Sequence, residues 1–376
     1  MAAGDLLPPL RLLLLAALAV TAAAAGGTGE GRAAPAPAPA LFVFGDSLID
    51  SGNNNNLASL AKANYFPYGI DFADGPTGRF CNGYTIVDEL AELLGLPLVP
   101  PYSEASSVQQ VLQGTNYASA AAGILDDSGG NFVGRIPFNQ QIKNFESTMA
   151  EITAAMGASA AADLMSRSIL FVGMGSNDYL NNYLMPNYDT RRRYSPQQFA
   201  DLLARQLAAQ LTRLYNAGGR RFVVAGVGSM GCIPSVLAQS VAGRCSQEVD
   251  DLVLPFNANV RALLDGLNAA AGGAGGGGLP GARLTYLDNF RIFRAILGDP
   301  AAFGFTVVDR GCCGIGRNGG QVTCLPFMAP CDDRERYVFW DAYHPTAAVN
   351  IIIARLAFHG GTDVISPINV RQLAGL

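Results

Sequence analysis

Four short runs in the chain are apolar almost without a break: "LFVF" at 41–44, "SILFVG" at 168–173, "RFVVAGVG" at 221–228 and "RLTYLD" at 283–288. A strand with one wet face alternates apolar and polar residues, whereas continuous runs suit strands covered on both faces, the state found in parallel sheets. Between the runs the pattern turns helical. Phe199, Leu202, Leu203, Leu207, Leu211 and Leu214 recur at helical spacing, and Gly218-Gly219 supplies a stop before the next strand. Further helices are predicted over 85–94, about 139–156, 248–270 and 346–358. Strands alternating with helices imply right-handed crossovers, so the expected fold class is α/β: a three-layer α/β/α sandwich with a central, mainly parallel sheet.

A chain of 376 residues, 49% hydrophobic and 15% charged, can bury a core large enough for one large domain or two small ones, and is not disordered. Its net charge of -5 leaves no basic stripe to follow a phosphate backbone, so nucleic acid is not an expected partner. At the N-terminus, Arg11 precedes a run of about 14 mostly Leu, Ala and Val residues that ends in small ones, the pattern of a cleavable secretory leader. The run falls short of the roughly 20 residues that span a bilayer, so no stable membrane anchor is expected. The expected organisation is a signal peptide over 1–25, an Ala/Pro/Gly-rich spacer over 26–40 and a single domain over 41–376, in a secreted protein with an extracellular or cell-wall location. The glycine-rich 271–281 reads as a mobile surface loop, because it lacks the Lys-Ser/Thr of a phosphate cradle.

Seven cysteines follow the leader. In an oxidising compartment Cys232 and Cys245 read as one local staple, and Cys312, Cys313, Cys324 and Cys331 as a second cluster of bridges whose order stays open. Cys81 is the odd one out. A zinc site is the rival reading of the C-terminal cluster. No N-x-S/T triplet occurs, so N-glycosylation is not expected.

Chemistry enters through the histidines, of which there are two. His359 precedes Gly-Gly at a helix end, where it suits the helix dipole. His344 lies in "DAYHPT", with Asp341 three residues before it and Pro345 after it, a proline suited to the first turn of a helix that starts about there. Asp341 can fold back within a turn and fix the imidazole tautomer that presents the other ring nitrogen to a hydroxyl. Ser47 follows the first strand directly, at the sheet edge where α/β folds bind ligands, although Asp46 or Ser47 as a helix cap is the plainer account of "GDS" alone. Asn177 follows the run 168–173 and can offer a side-chain amide to an oxyanion, or merely form a turn; Asp178 beside it is taken as structural. "GTNYASAAAGIL" at 114–125 crowds small residues where a backbone N–H can approach the same place.

The four segments "GDSLIDSGNNN", "GTNYASAAAGI", "GSND" and "DAYHPT", in that order, resemble the plant GDSL esterase/lipase family of the SGNH hydrolases from about residue 41 to near 360. The "FVVAGVGSMGCIPS" and "RGCCG" segments are similar to the same subfamily, while "GRFCNG" carries Cys81 where serine is more usual. The resemblance implies a flavodoxin-like sandwich and a carboxylester hydrolase in which Ser47 is the nucleophile, His344 the base and then the acid, and Asp341 the group orienting His344. It implies an oxyanion hole made of the Ser47 N–H, the Asn177 side chain and the N–H of a glycine in the second segment, taken as Gly123 with Gly114 the alternative. No cofactor or metal is implied, and the partner is a small or polymeric ester. Two other functions fit the same residues: an extracellular acyltransferase working through the same acyl-enzyme, and an inactive binding protein on the scaffold.

Overall fold

The computed structural model describes residues 38–269 and 278–376. The predicted leader, most of the spacer and most of the glycine-rich loop lie outside the described residues. The end of the spacer does not: Ala38 and Ala40 are buried, and the Ala40 carbonyl accepts the Ile169 N–H.

Five strands run parallel, β1 (Leu41–Gly45), β2 (Gly114–Asn116), β3 (Ile169–Gly173), β4 (Arg221–Ala225) and β5 (Arg283–Leu287). A parallel pair, β6 (Val307–Gly311) and β7 (Tyr337–Phe339), stands apart, and β8 (Ile365–Ser366) closes the main sheet as an antiparallel edge. The order is β2-β1-β3-β4-β5-β8, a mixed and mostly parallel sheet. The expected α/β class is what the chain forms.

Side chains alternate across this sheet as the strand period demands. Phe42, Phe44, Leu170, Val172, Phe222 and Val224 face one core, and Leu41, Val43, Ile169, Phe171 and Val223 face the other. The first face is covered by α2 (Phe138–Met156), α3 (Ala158–Arg167), α4 (Pro196–Asn216) and α5 (Gln247–Ala269). Opposite lie α1 (Ile86–Leu93), α6 (Asn289–Gly298) and α7 (Ala347–His359). Helix α4 starts with the Ser195–Gln198 capping box and Pro196 in its first turn, local signals that agree with its apolar stripe.

Register positions the site. Gly45 pairs with Gly173, Gly173 with Ala225 and Ala225 with Leu287, so four parallel strands end level with one another. Residues that follow those ends therefore gather along one edge. None of the described helices is long and apolar enough to cross a membrane.

Three disulfides staple the loops, Cys232–Cys245, Cys312–Cys331 and Cys313–Cys324, and Cys81 is a buried free thiol. The four C-terminal cysteines are all consumed by these bridges, which leaves no thiolate for the zinc alternative. One expectation changes near the site: α7 begins at Ala347, and Pro345 pairs with Phe339 in an isolated bridge instead of opening the helix. His344 accordingly sits in a turn closed by the Trp340 N–H donating to the His344 carbonyl.

Candidate active site

The turn after β1 carries Asp46 and Ser47. A glutamine holds the residue before them: buried Gln141 of α2 accepts from the Gly45 N–H at 3.0 Å and donates to the Gly45 carbonyl at 2.8 Å and to Ile136 at 2.9 Å. Gly45 itself has no room for a side chain, because a Cβ there would lie 2.7 Å from the Gly173 carbonyl of the next strand. Asp46 is buried, accepts from the Leu48 N–H, and its carboxyl is pushed by burial up to about 7.

Ser47 Oγ lies 2.8 Å from His344 Nε2, and His344 Nδ1 lies 2.9 Å from each oxygen of Asp341. Residues 297 positions apart in the chain thus share a hydrogen bond. Asp341 also accepts from the backbone N–H groups of Tyr343 and His344, which locks the turn, and from the hydroxyls of Tyr68 at 2.6 Å and Thr323 at 3.1 Å. Burial alone would raise the Asp341 carboxyl, but its partners His344, Tyr68 and Tyr343 outweigh that and hold it below the ordinary carboxylate range. An ionised carboxylate only accepts, so the ring proton sits on Nδ1 and Nε2 is left as an acceptor for the Ser47 hydroxyl. Phe80 packs on the imidazole with ring centres 5.1 Å apart, and Asn82 accepts from Ala347 at the start of α7, so the 79–82 loop backs the histidine.

Asn177 follows β3 and also lines the cleft. Its Nδ2 donates to the Ala122 carbonyl at 2.9 Å, and its Oδ1 accepts from Asn181, so the amide is oriented and one N–H remains over. The glycines expected as backbone donors lie elsewhere. Neither Gly123 nor Gly114 lines the cleft: Gly123 is packed against the Asp178 carboxylate and Ser128, and Gly114 against the backbone of Leu41. Ala121 takes the place at the cleft, in a left-handed conformation with φ of 66°. Its N–H, like that of Ser47, has no hydrogen-bond partner among the described residues. A left-handed alanine costs about 1 kcal/mol or more, and neighbouring contacts hold it there. Asp50 accepts from the Ala120 N–H while anchoring Gly52 and Asn53, and Asp178 accepts from Ile124, Leu125 and Ser128. Burial pushes both of these carboxyls up to about 6.

Around these groups opens a cleft of about 1300 Å³, counting the part open to solvent. Its lining includes exposed Leu60 and Tyr343 and buried Met174, Val227, Met230 and Ile233.

Residues 41–357 match the family described as GDSL-like Lipase/Acylhydrolase. The chain belongs to this family. A GDSL esterase/lipase of Arabidopsis thaliana is 62% identical over 337 residues, covering 89% of this chain and 85% of the relative. Two more from the same plant, one of them GDSL esterase/lipase 7, are each 48% identical, the first over 337 residues with 88% of the relative covered and the second over 343 with 92%. Within this GDSL-family chain, sequence reasoning missed Ala121, Gln141, Tyr68 and Thr323. Glycine was the signal sought for a backbone approach, and an alanine forced to positive φ leaves no such mark. Tyr68, at 273 positions from Asp341, carries none either.

Proposed function

We propose that this protein is a secreted serine carboxylester hydrolase working through an acyl-serine intermediate. The observation that carries the reading is the unbroken chain from Ser47 Oγ through the His344 ring to Asp341, at 2.8 and 2.9 Å, beside three unspent N–H donors. In this reading His344 Nε2 takes the Ser47 proton as Oγ attacks the ester carbonyl, and Asp341 stabilises the imidazolium that forms. The oxyanion is met by the N–H groups of Ser47 and Ala121 and by the Asn177 side chain. His344 then passes its proton to the leaving alcohol, and the same nitrogen activates the water that releases the acid. The part of the cleft open to solvent gives alcohol and water their route.

Two features support the secreted part of the reading: the leader-like N-terminus and three disulfides, which persist where thiols are oxidised. An inactive binding protein is less consistent with a site that keeps every one of these groups. Transfer to an alcohol uses the same acyl-enzyme, but the cleft is open to solvent and gives water free access.

The test is covalent labelling by a fluorophosphonate together with hydrolysis of p-nitrophenyl esters. Labelling is expected at Ser47 in the wild type and lost, with hydrolysis, in folded Ser47→Ala and His344→Ala. Retained hydrolysis by Ser47→Ala with an unchanged circular dichroism spectrum would refute the assignment.

A further inference from the structure

The segment "GRFCNG" at 78–83 supplies no group to the chemistry above, yet an ion pair anchors it at each end. Arg79 is buried and meets the Asp88 carboxylate of α1 with two hydrogen bonds of 2.8 Å. Its Nη1 donates to the Thr77 hydroxyl at 2.8 Å, and its guanidinium lies 4.3 Å from the centre of the Phe72 ring. Beyond, Asn82 donates to Asp71 at 2.8 Å, and Arg334 grips the same carboxylate at 2.7 and 2.8 Å. Desolvation offsets most of what a buried ion pair gains, so the Arg79–Asp88 pair is better suited to fixing position than to adding stability. The residue it fixes is Phe80.

Phe80 lines the cleft and is only 6% exposed. Its ring centre lies 5.1 Å from that of His344, with the planes 41° apart, and 5.9 Å from that of Tyr68, the tyrosine that donates to Asp341. Both nitrogens of the imidazole are engaged, Nδ1 by Asp341 and Nε2 by Ser47, so any further support must come from groups packed on the ring. Tyr343 is the weaker candidate, with its ring 6.2 Å away at 67° and exposed to solvent.

When Ser47 Oγ bonds to the ester carbonyl carbon, its proton moves to Nε2 and the neutral imidazole becomes an imidazolium. An aromatic ring attracts a cation placed over its face within about 6 Å of its centre, and more strongly where water is excluded. Phe80 and His344 are both buried. The neutral imidazole of the substrate complex gains little from such a ring. The attraction therefore grows in the transition state, which is the condition for accelerating the step.

We infer that Phe80 is a positioning residue whose ring stabilises the imidazolium of His344 as Ser47 gives up its proton; this rests on the hydrolase reading above. The test replaces Phe80 site-specifically by ring-difluorinated and ring-trifluorinated phenylalanine, which keep the shape of the ring and withdraw electron density from its face. Hydrolysis of p-nitrophenyl acetate and phosphonylation of Ser47 by a fluorophosphonate both pass through the imidazolium. Both rates are expected to fall stepwise with fluorine count, by about threefold or more for the trifluorinated ring, with kcat and kcat/KM falling together. Phe80→Leu is expected to lose about tenfold. A side chain that only packs leaves the fluorinated series level. Rates within about 1.5-fold of wild type, or rising with fluorine, in proteins of unchanged melting temperature overturn the inference, even where Phe80→Leu fails to fold. A level series beside a wild type that hydrolyses and is labelled sinks this inference alone, whereas a wild type that does neither sinks the hydrolase reading and this inference with it.

Discussion

A Gln141→Leu substitution keeps the approximate volume of a fully buried side chain while removing its three hydrogen bonds. The Gly45 carbonyl keeps a partner, because Ser119 also donates to it. The Gly45 N–H does not, and the Ile136 carbonyl is left half-buried without its donor. With about 1–3 kcal/mol for a stranded buried group and less for one that water can reach, the expected destabilisation is about 3 kcal/mol. Guanidinium unfolding should show it as a lower midpoint at unchanged slope. Catalysis reports separately on position. Gly45 stands two residues before Ser47, and a nucleophile displaced by about 1 Å can lose on the order of a hundredfold in rate, so kcat should fall far more than KM changes. Gln141→Glu is the control for hydrogen bonding against packing: at neutral pH its carboxylate accepts from Gly45 but faces two carbonyls it cannot serve, and it should destabilise more than leucine. A loss below about 1 kcal/mol for Gln141→Leu, with kcat within about twofold of wild type, would refute the view that this glutamine holds the Ser47 turn.

Three other outcomes follow from the same geometry. Tyr68→Phe removes the 2.6 Å hydrogen bond to Asp341 while Thr323 remains, and it should lower kcat about tenfold and stability by about 1.5–3 kcal/mol; kinetics and unfolding indistinguishable from wild type would remove Tyr68 from the site. Asp46, pushed up to about 7 from 3.8, keeps in the folded state a proton that the unfolded chain gives up near pH 4; its contribution is full below about pH 4 and is lost as the pH rises through 7. Asp46→Asn should therefore flatten the fall of unfolding free energy between about pH 4 and 7, and parallel curves for variant and wild type would contradict that. Cys81, buried and with its thiol pushed up to about 12, should be silent to a thiol reagent in the native protein and react once per chain after denaturation; a second reactive thiol would break the disulfide pairing described here.

Much of the sheet was legible because its signal is local. "LFVF", "SILFVG", "RFVVAGVG" and "RLTYLD" each hold the core of a strand, and the long helices fall within a few residues of their predicted bounds. Strand β2 went unread, since Gly114, Thr115 and Asn116 have no apolar run and are strand only because β1 pairs with them. The edge strand β8 is two residues long and likewise owes its state to β5. Helix α7 starts later than the Pro345 pattern suggests, because a pairing with Phe339 competes for that proline.

The amino-acid sequence by itself determined the class of fold, the identity of Ser47, His344, Asp341 and Asn177 as candidates, and the paired use of six cysteines. Periodicity, turn residues and short ordered segments are properties of neighbours along the chain, and they survive without coordinates. Only the tertiary structure decided that Ala121 and not Gly123 faces the cleft, that Gln141 grips Gly45, that Tyr68 and Thr323 hold Asp341, and that Cys312 joins Cys331 while Cys313 joins Cys324. Each of these depends on which strand ends come level and which loops fold back over them. That is settled by packing between segments tens to hundreds of residues apart, where no periodic pattern reaches.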